Sequence, residues 1–142
     1  MPLKRLRRLF SRKRPDLGTL HFSAAEFECR DGSQVPSKYA DNTQLLMRQL
    51  EVLRNHFGGA AIRIVSGYRS PRYNTRIGGA RKSKHMLGMA ADIRVAGVHP
   101  KSVADAISSL IARGRMREGG LGRYGTFTHY DVRGTRARWG SN

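Results

Sequence analysis

A polar segment of about twenty residues, running from Gly67 to Gly88, separates two short apolar segments in the middle of the chain. It is rich in Gly, Ser, Arg and Lys, and its four glycines oppose a continuous helix, although Ser70 and Pro71 are typical of the start of a short one. The apolar segments on either side, Ala61–Ser66 and Ala90–Val95, predict β-strands because β-branched residues recur between turn residues. Loops of this length in small domains are usually functional or disordered, so we expect the chemistry of this chain near the polar segment.

Two helices and a third strand complete the predicted secondary structure. Residues 41–57 have an apolar face, a capping-box pattern at Asp41 and Gln44, and a Gly-Gly pair as their end. Residues 100–113 have the same periodicity and begin with proline. Phe127–Arg133 alternates in the manner of a strand. These elements predict an α+β domain.

The length and the cysteine content limit the architecture further. A chain of 142 residues suits one domain, which we place at residues 19–142. A single cysteine, Cys29, excludes an intramolecular disulfide, and we expect it to be a small buried residue. No apolar run approaches the roughly 18–20 residues that a membrane-spanning helix requires.

The formal net charge of +17 is concentrated at one end of the chain. Residues 1–18 form a predicted N-terminal arm, of which residues 1–14 contain seven Lys and Arg and no acid. The arm is open to three interpretations: a solvated tail, contact with an anionic membrane or wall polymer, or contact with nucleic acid. It lacks the continuous apolar stretch of a secretory signal. The chain shows no recognition helix, zinc finger or aromatic platform, so we expect no specific nucleic-acid partner.

Two imidazoles and one carboxylate are placed to meet on one face of the predicted sheet. Alternation along the strand puts Ala91, Ile93 and Val95 on the core face and Asp92 on the other. His129 lies on the last strand, on the side that can look toward Asp92, and His85 lies at the end of the polar segment. Such a set suits an open tetrahedral zinc site with room for a water. On patterning alone this signal is weak, and ordinary hydrogen-bonded histidines and an Asp–Arg pair are the commoner explanation of these residues.

The motifs around these residues resemble the M15 peptidases, the zinc D-alanyl-D-alanine carboxypeptidases and related cell-wall peptidases. The resemblance rests on an ordered set of motifs that covers about residues 21–135: His21–Cys29, Ser66-Gly67-Tyr68-Arg69-Ser70, Ser83-x-His85 followed by Gly88-x-Ala90-Ala91-Asp92, and Gly120-x-Gly122-x-Tyr124 followed by Phe127-x-His129-x-Asp131. It implies a small α+β domain shared with the hedgehog signalling domain, with an antiparallel sheet that carries the metal. It also implies that His85, Asp92 and His129 bind Zn²⁺.

The resemblance further implies substrate-binding roles for Arg69 and Ser83. An arginine fork suits a carboxylate or a peptide carbonyl, although pairing of Arg69 with Asp92 or a helix end is the structural alternative. The sequence departs from other branches of the family in one place, since Thr126 occupies the position of their general base. Asp131 is the nearest acidic candidate for that catalytic role, and the alternative is that it orients a zinc histidine.

The resulting hypothesis is a monomeric zinc metallopeptidase that hydrolyses peptidoglycan stem peptides or cross-links. The cut bond is D-Ala-D-Ala, a D,D cross-link or L-Ala-D-Glu. We expect action at the bacterial cell wall and, without a secretory signal, release by lysis or carriage in a virion, as for a phage or prophage lysis enzyme. The alternatives are a non-catalytic zinc-containing wall-binding module and, last, a basic nucleic-acid-binding protein.

Overall fold

A computed structural model describes residues 17–141 of the chain. The sheet contains five strands in the order β1-β2-β4-β3-β5. Their bounds are β1 Ile62–Ser66, β2 Ala90–Val95, β3 Gly120–Arg123, β4 Thr128–Asp131 and β5 Ala137–Gly140. All neighbouring pairs are antiparallel except β3 and β5, which run parallel. The α+β prediction is confirmed, and the parallel fifth strand is an addition to the antiparallel sheet that we expected.

The three α-helices are α1 Ala40–His56, α2 Pro71–Arg76 and α3 Pro100–Ala112. The two long helices confirm the predictions for residues 41–57 and 100–113. Short 3₁₀ turns occur at Ala24–Phe27, Ser37–Tyr39 and Lys84–Leu87. Within the described part of the chain, no helix has both the length and the apolar character that crossing a membrane requires.

The predicted capping box of the first long helix is wrong. The N-cap of α1 is Tyr39, and no side chain caps the helix. Gln44 instead bonds Gly18 in both directions, donating from Nε2 to its carbonyl (2.8 Å) and accepting its N–H at Oε1 (2.9 Å). The Gln44 side chain therefore makes a tertiary contact with Gly18 and does not cap the helix.

The core lies between one face of the sheet and the long helices. α1 contributes Leu46, Met47, Leu50 and Leu53, and α3 contributes Val103, Ile107 and Leu110. The sheet contributes Ala91, Ile93, Leu121 and Tyr130, which alternate with the residues of the opposite face. This confirms the predicted core face of β2, and Cys29 is buried and free as expected.

The N-terminal arm falls mainly outside the described residues, which include none of residues 1–16. Of the predicted arm, only Leu17 and Gly18 are described. Leu17 is buried in the core cluster and Gly18 forms a bridge with Ser23. The boundary at residue 18 and the three interpretations of the arm stay predictions.

Candidate metal centre and cleft

The sheet face opposite the core carries a row of residues that crosses all five strands. Strand register pairs Ser66 of β1 with Asp92 of β2, and Asp92 with His129 of β4. It then pairs His129 with Gly122 of β3, and Gly122 with Trp139 of β5. Directly opposed residues project to the same side of a sheet. The register therefore brings the predicted Asp92 and His129 together, and His129 Nδ1 lies 3.2 Å from Asp92 Oδ1.

His85 reaches the same carboxylate from the connection between β1 and β2. It lies on the 3₁₀ turn Lys84–Leu87, whose N-cap is Ser83, and the Ser83 hydroxyl accepts the N–H of His85 (3.2 Å). The other end of the turn is fixed by α1, because Asn42 donates to the carbonyl of Leu87 (2.9 Å). The turn thereby places His85 Nε2 3.2 Å from Asp92 Oδ1.

The donor atoms of His85, Asp92 and His129 all lie within 4.8 Å of one another, and all three residues are buried. His85 Nδ1 is 2.7 Å from the carbonyl oxygen of Gly67, and His129 Nε2 is 2.7 Å from a carboxylate oxygen of Asp131. A carbonyl or carboxylate oxygen only accepts, so each histidine donates from its outer nitrogen. In the neutral form of each ring, the inner nitrogen therefore directs its lone pair at Asp92.

Three acceptors that converge in a buried space need a proton or a metal ion between them. Two imidazole nitrogens and one carboxylate oxygen are the ligand set of an open zinc site, with both outer nitrogens held by acceptors, as is usual for metal-binding histidines. The residues present thus fit zinc on the chemistry of the donor set.

The electrostatics of the three groups agree with this assignment. Burial lowers the pKa of His85, which favours the neutral imidazole that binds metals. Burial alone would lower the pKa of His129, but hydrogen bonds with Asp131 and Asp92 outweigh it and the pKa is raised. Burial would raise the pKa of Asp92, yet the two histidines hold it well below its ordinary value. The cluster thus keeps an ionised carboxylate and attracts positive charge, which a metal ion can supply in place of a proton.

Asp131 lies on the far side of the His129 ring from Asp92 and has no exposed surface. Both of its oxygens are occupied. Oδ1 accepts from Gly120 N–H (2.9 Å) and from the backbone N–H and Nε of Arg133 (3.1 and 2.9 Å). Oδ2 accepts from Arg133 Nη2 (2.8 Å) and from His129 Nε2. Of the two predicted roles, this arrangement favours orientation of His129.

The substrate-binding candidates Arg69 and Ser83 both line the cleft above the three ligand candidates. Arg69 also pairs with Asp92, and its Nη2 lies 3.3 Å from Oδ2. The Arg69–Asp92 pair that we gave as the alternative to substrate binding is therefore present at the cleft. Ser83 Oγ is engaged with the backbone of His85. Thr126 is exposed, and its carbonyl accepts from Arg94 (2.7 Å).

The cleft has a volume of about 580 Å³, and its two walls differ in chemistry. The first wall, which we call the cationic wall, is formed by Arg69, Lys82 and Lys84 together with the backbone of 78–80. The second, the aromatic wall, is formed by Tyr124, Phe127 and Trp139. Tyr124 stacks on Phe127 with ring centroids 4.4 Å apart, and Trp139 donates its indole N–H to the Tyr124 hydroxyl (2.8 Å). The ligand candidates form the floor between the walls.

Trp139, Gly122 and Arg133 also belong to the site. The sequence left Trp139 open between packing against the domain and lining a cleft, showed Gly122 only as part of a motif, and indicated no role for Arg133. Trp139 lies 4.8 Å from the His129 ring, centroid to centroid. A Cβ on Gly122 would come within 2.5 Å of the Trp139 indole, so only glycine lets the ring lie against the sheet. The guanidinium carbon of Arg133 lies 5.5 Å from the centroid of the same indole, and Arg133 also donates hydrogen bonds to Asp131. The available signal was glycine inside a short strand, which often marks a close approach.

Comparisons with known proteins agree with this geometry. The family model described as Peptidase M15 matches residues 20–131, about four fifths of the chain. The zinc D-Ala-D-Ala carboxypeptidase of Streptomyces albus G is 38% identical over 52 residues. That alignment covers 37% of this chain and 20% of the relative, so the matched part spans about a fifth of the relative's length.

Proposed function

This chain belongs to the Peptidase M15 family, and on that premise we propose that it is a zinc-dependent peptidase that hydrolyses peptidoglycan stem peptides or their cross-links. Membership confirms the resemblance and implies a metallopeptidase whose cofactor is zinc. The identity of the substrate is the more specific part of the proposal. It is supported by the name of the Streptomyces relative, a D-Ala-D-Ala carboxypeptidase, and by a cleft that suits an anionic peptide.

The observation that carries the proposal is the convergence of His85, Asp92 and His129 at the floor of an open cleft. Structural zinc sites are closed by four protein ligands, whereas catalytic sites have three and keep one position open. Among the described residues, these three are the one cluster of His, Cys, Asp and Glu side chains close enough to share a metal ion. We therefore assign them as the zinc ligands.

When bound there, zinc supplies Lewis-acid activation of a water molecule and of the scissile carbonyl. The chain's own residues hold the substrate and the ligands. Arg69 borders the floor and offers its guanidinium fork to a carboxylate or carbonyl of the peptide. Ser83 fixes the turn that presents His85, and its place in the cleft supports a hydrogen bond to the substrate. The aromatic wall lies on the other side of the floor.

We assign Asp131 to the orientation of His129 and not to proton transfer. Its carboxylate has no exposed surface, accepts from Arg133 and Gly120, and is separated from the cleft floor by the imidazole ring. A general base must come within hydrogen-bond distance of the proton that it takes. Among the described residues that line the cleft, Asp92 is the one carboxylate.

The proposal is tested by digestion of purified peptidoglycan with the zinc-loaded protein, followed by mass spectrometry of the muropeptides. We expect new fragments that have each gained one water, no fragments after removal of zinc with a chelator, and none with His85→Ala. The masses of the fragments identify the cut bond among the three predicted. Unchanged muropeptides from a protein shown to contain zinc would overturn the proposal.

A second candidate is a zinc-containing module that binds the cell wall without cleaving it. It is favoured by Thr126 at the position where other branches of the family have an acid, and by the burial of Asp131. The same digestion separates the two, since one zinc per chain with tight binding to peptidoglycan and no new fragments would support the binding module. The phage or prophage setting, the monomeric state and a role of residues 1–14 at anionic surfaces stay predictions.

A further inference from the structure

The connection between β1 and β2 has an unusual charge balance. Residues 67–89 contain six Lys and Arg and no acid, and residues 52–91 as a whole contain none. This connection forms the cationic wall of the cleft, where Arg69, Lys82 and Lys84 border the ligand cluster. A run of like charge on a cleft wall raises the local concentration of anions.

Two of these cations have no acidic partner. Within residues 17–141, no acidic side chain lies within 4 Å of the ammonium group of Lys82 or Lys84. Some other cations of the fold do have an acidic partner, as Lys101 has in Asp105 (2.8 Å). Lys82 is exposed and Lys84 is half-buried.

The remaining charges of the cleft are already engaged within the fold. Arg69 pairs with Asp92, and the guanidinium group of Arg133 binds Asp131 through two nitrogens. The one carboxylate of the lining, Asp92, belongs to the ligand cluster. Lys82 and Lys84 are therefore the positive charges of the lining that have no acidic partner within the described part of the fold.

We propose that Lys82 and Lys84 form a carboxylate-binding subsite, by which the cleft selects stem peptides with free carboxyl groups over peptides in which those groups are amidated. The inference rests on the proposed function and adds the chemical class of the preferred substrate. The subsite uses residues other than Arg69, since Lys82 and Lys84 precede and follow Ser83 in the chain and line the same cleft. Its ligand is the substrate itself, since the lysines line the same cleft as the zinc-ligand candidates.

Amidation replaces a charged acceptor by a neutral carboxamide of similar shape. Hydrogen bonds to an ionised acceptor are roughly twice as strong as neutral ones. Loss of one such interaction in a half-buried cleft should weaken binding about tenfold. The preference should shrink as salt is added, because exposed charges are screened over about 8 Å at physiological ionic strength.

The test uses the single tryptophan of the chain, Trp139, as a reporter inside the cleft. Two synthetic stem peptides that differ only in amidation of the side carboxyl groups are titrated into the zinc-loaded protein. Tryptophan fluorescence and calorimetry measure the dissociation constants. We expect about tenfold tighter binding of the free-acid peptide by the unaltered protein, and loss of that preference in Lys82→Gln/Lys84→Gln.

Lys38→Gln/Lys101→Gln is the matched control, because it removes the same charge from exposed lysines outside this cleft. It should keep the preference, and both double variants should keep the unfolding temperature within a few degrees. Equal affinity for the two peptides in the unaltered protein, or a preference that survives in Lys82→Gln/Lys84→Gln, would overturn the inference. A glycerol phosphate oligomer that binds more tightly than the free-acid peptide in the same titration would also overturn it, in favour of a phosphate polymer as ligand.

Turnover of the same two peptides separates failure of this inference from failure of the proposed function. Equal cleavage of both peptides with equal affinity removes the subsite and leaves the peptidase proposal intact. Selective binding of the free-acid peptide without cleavage of either removes the peptidase activity and leaves the subsite as part of a binding module.

Discussion

Replacement of Asp131 by asparagine separates the two roles that this carboxylate can have. In the structure its two oxygens accept five hydrogen bonds, of which one holds His129 Nε2 at 2.7 Å and three come from Arg133. An asparagine keeps the shape but loses the charge and one acceptor, so the imidazole is no longer fixed in one orientation. Loss of such a partner typically costs 10–100-fold in metal affinity, or about 1.4–2.8 kcal/mol.

The same substitution should lower the stability of the metal-free protein. Removal of one member of a fully buried ion pair costs about 3–5 kcal/mol. Here the cost should be smaller, because the side chain of Arg133 keeps 25% of its surface exposed. Urea unfolding of the metal-free protein measures this loss.

Competition with a chromophoric chelator measures the zinc affinity, and peptidoglycan turnover is followed at rising zinc concentration. For Asp131→Asn we expect weaker zinc binding and a turnover that recovers most of its value once the site is saturated. Asp105→Asn is the control, since that carboxylate is 50% exposed and is not part of the cleft lining, and it should change neither quantity. Unchanged zinc affinity combined with a 100-fold or greater loss of turnover at saturating zinc would refute the orienting role and make Asp131 the base.

Three further substitutions test the fold around the site. Gly122→Ala puts a methyl group within 2.5 Å of the Trp139 indole, so we expect a loss of about 1–3 kcal/mol of unfolding free energy in urea and a shifted tryptophan emission; an unchanged spectrum would contradict the close contact. Burial raises the pKa of Glu51, but hydrogen bonds led by that from Thr19 outweigh it and leave the pKa below the ordinary 4.5. Its stabilisation is therefore present above about pH 4.5 and is lost as the pH falls through the lowered value, so the stability difference between the protein and Glu51→Gln should shrink between about pH 6 and 3. A difference that is constant over that range would count against a stabilising role of the hydrogen bonds to Glu51. Met47→Ala empties a fully buried position of α1 and should cost about 2–5 kcal/mol in the same urea experiment, whereas a cost below 1 kcal/mol would mean that the helix packs loosely.

The parts of the fold that the sequence predicted are those with strong local patterns. α1 and α3 have apolar residues on one face over three or more turns, and β2 alternates cleanly, so periodicity alone placed Asp92 away from the core. The same argument put His129 opposite Asp92, which the strand register confirms.

The parts that the sequence did not predict depend on contacts between distant segments. β3 has the sequence GLGR and contains no β-branched residue, so its strand character comes from pairing with β4 and β5. Its glycines are required by neighbours, because a Cβ on Gly120 would collide with the Asp131 carboxylate. β5 follows a turn near the end of the chain and pairs parallel to β3, which no local signal indicates.

Within the site, the three ligand candidates were predictable, and the residues that hold them were not. The sequence did not show that Arg133 donates hydrogen bonds to Asp131 or that the Trp139 ring packs against His129. Both contacts depend on the bend of the chain between β4 and β5. The choice between base and orienting group for Asp131 likewise required its burial and its hydrogen bonds.

The central claim is that His85, Asp92 and His129 hold a zinc ion with an open position. X-ray absorption at the zinc edge of the purified, zinc-loaded protein tests this most directly. We predict one zinc per chain with four nitrogen or oxygen ligands at about 2.0–2.1 Å, the multiple-scattering signature of two imidazoles, and no sulfur ligand. A sulfur shell at about 2.3 Å, or a zinc environment that is unchanged in His85→Ala, would contradict the claim.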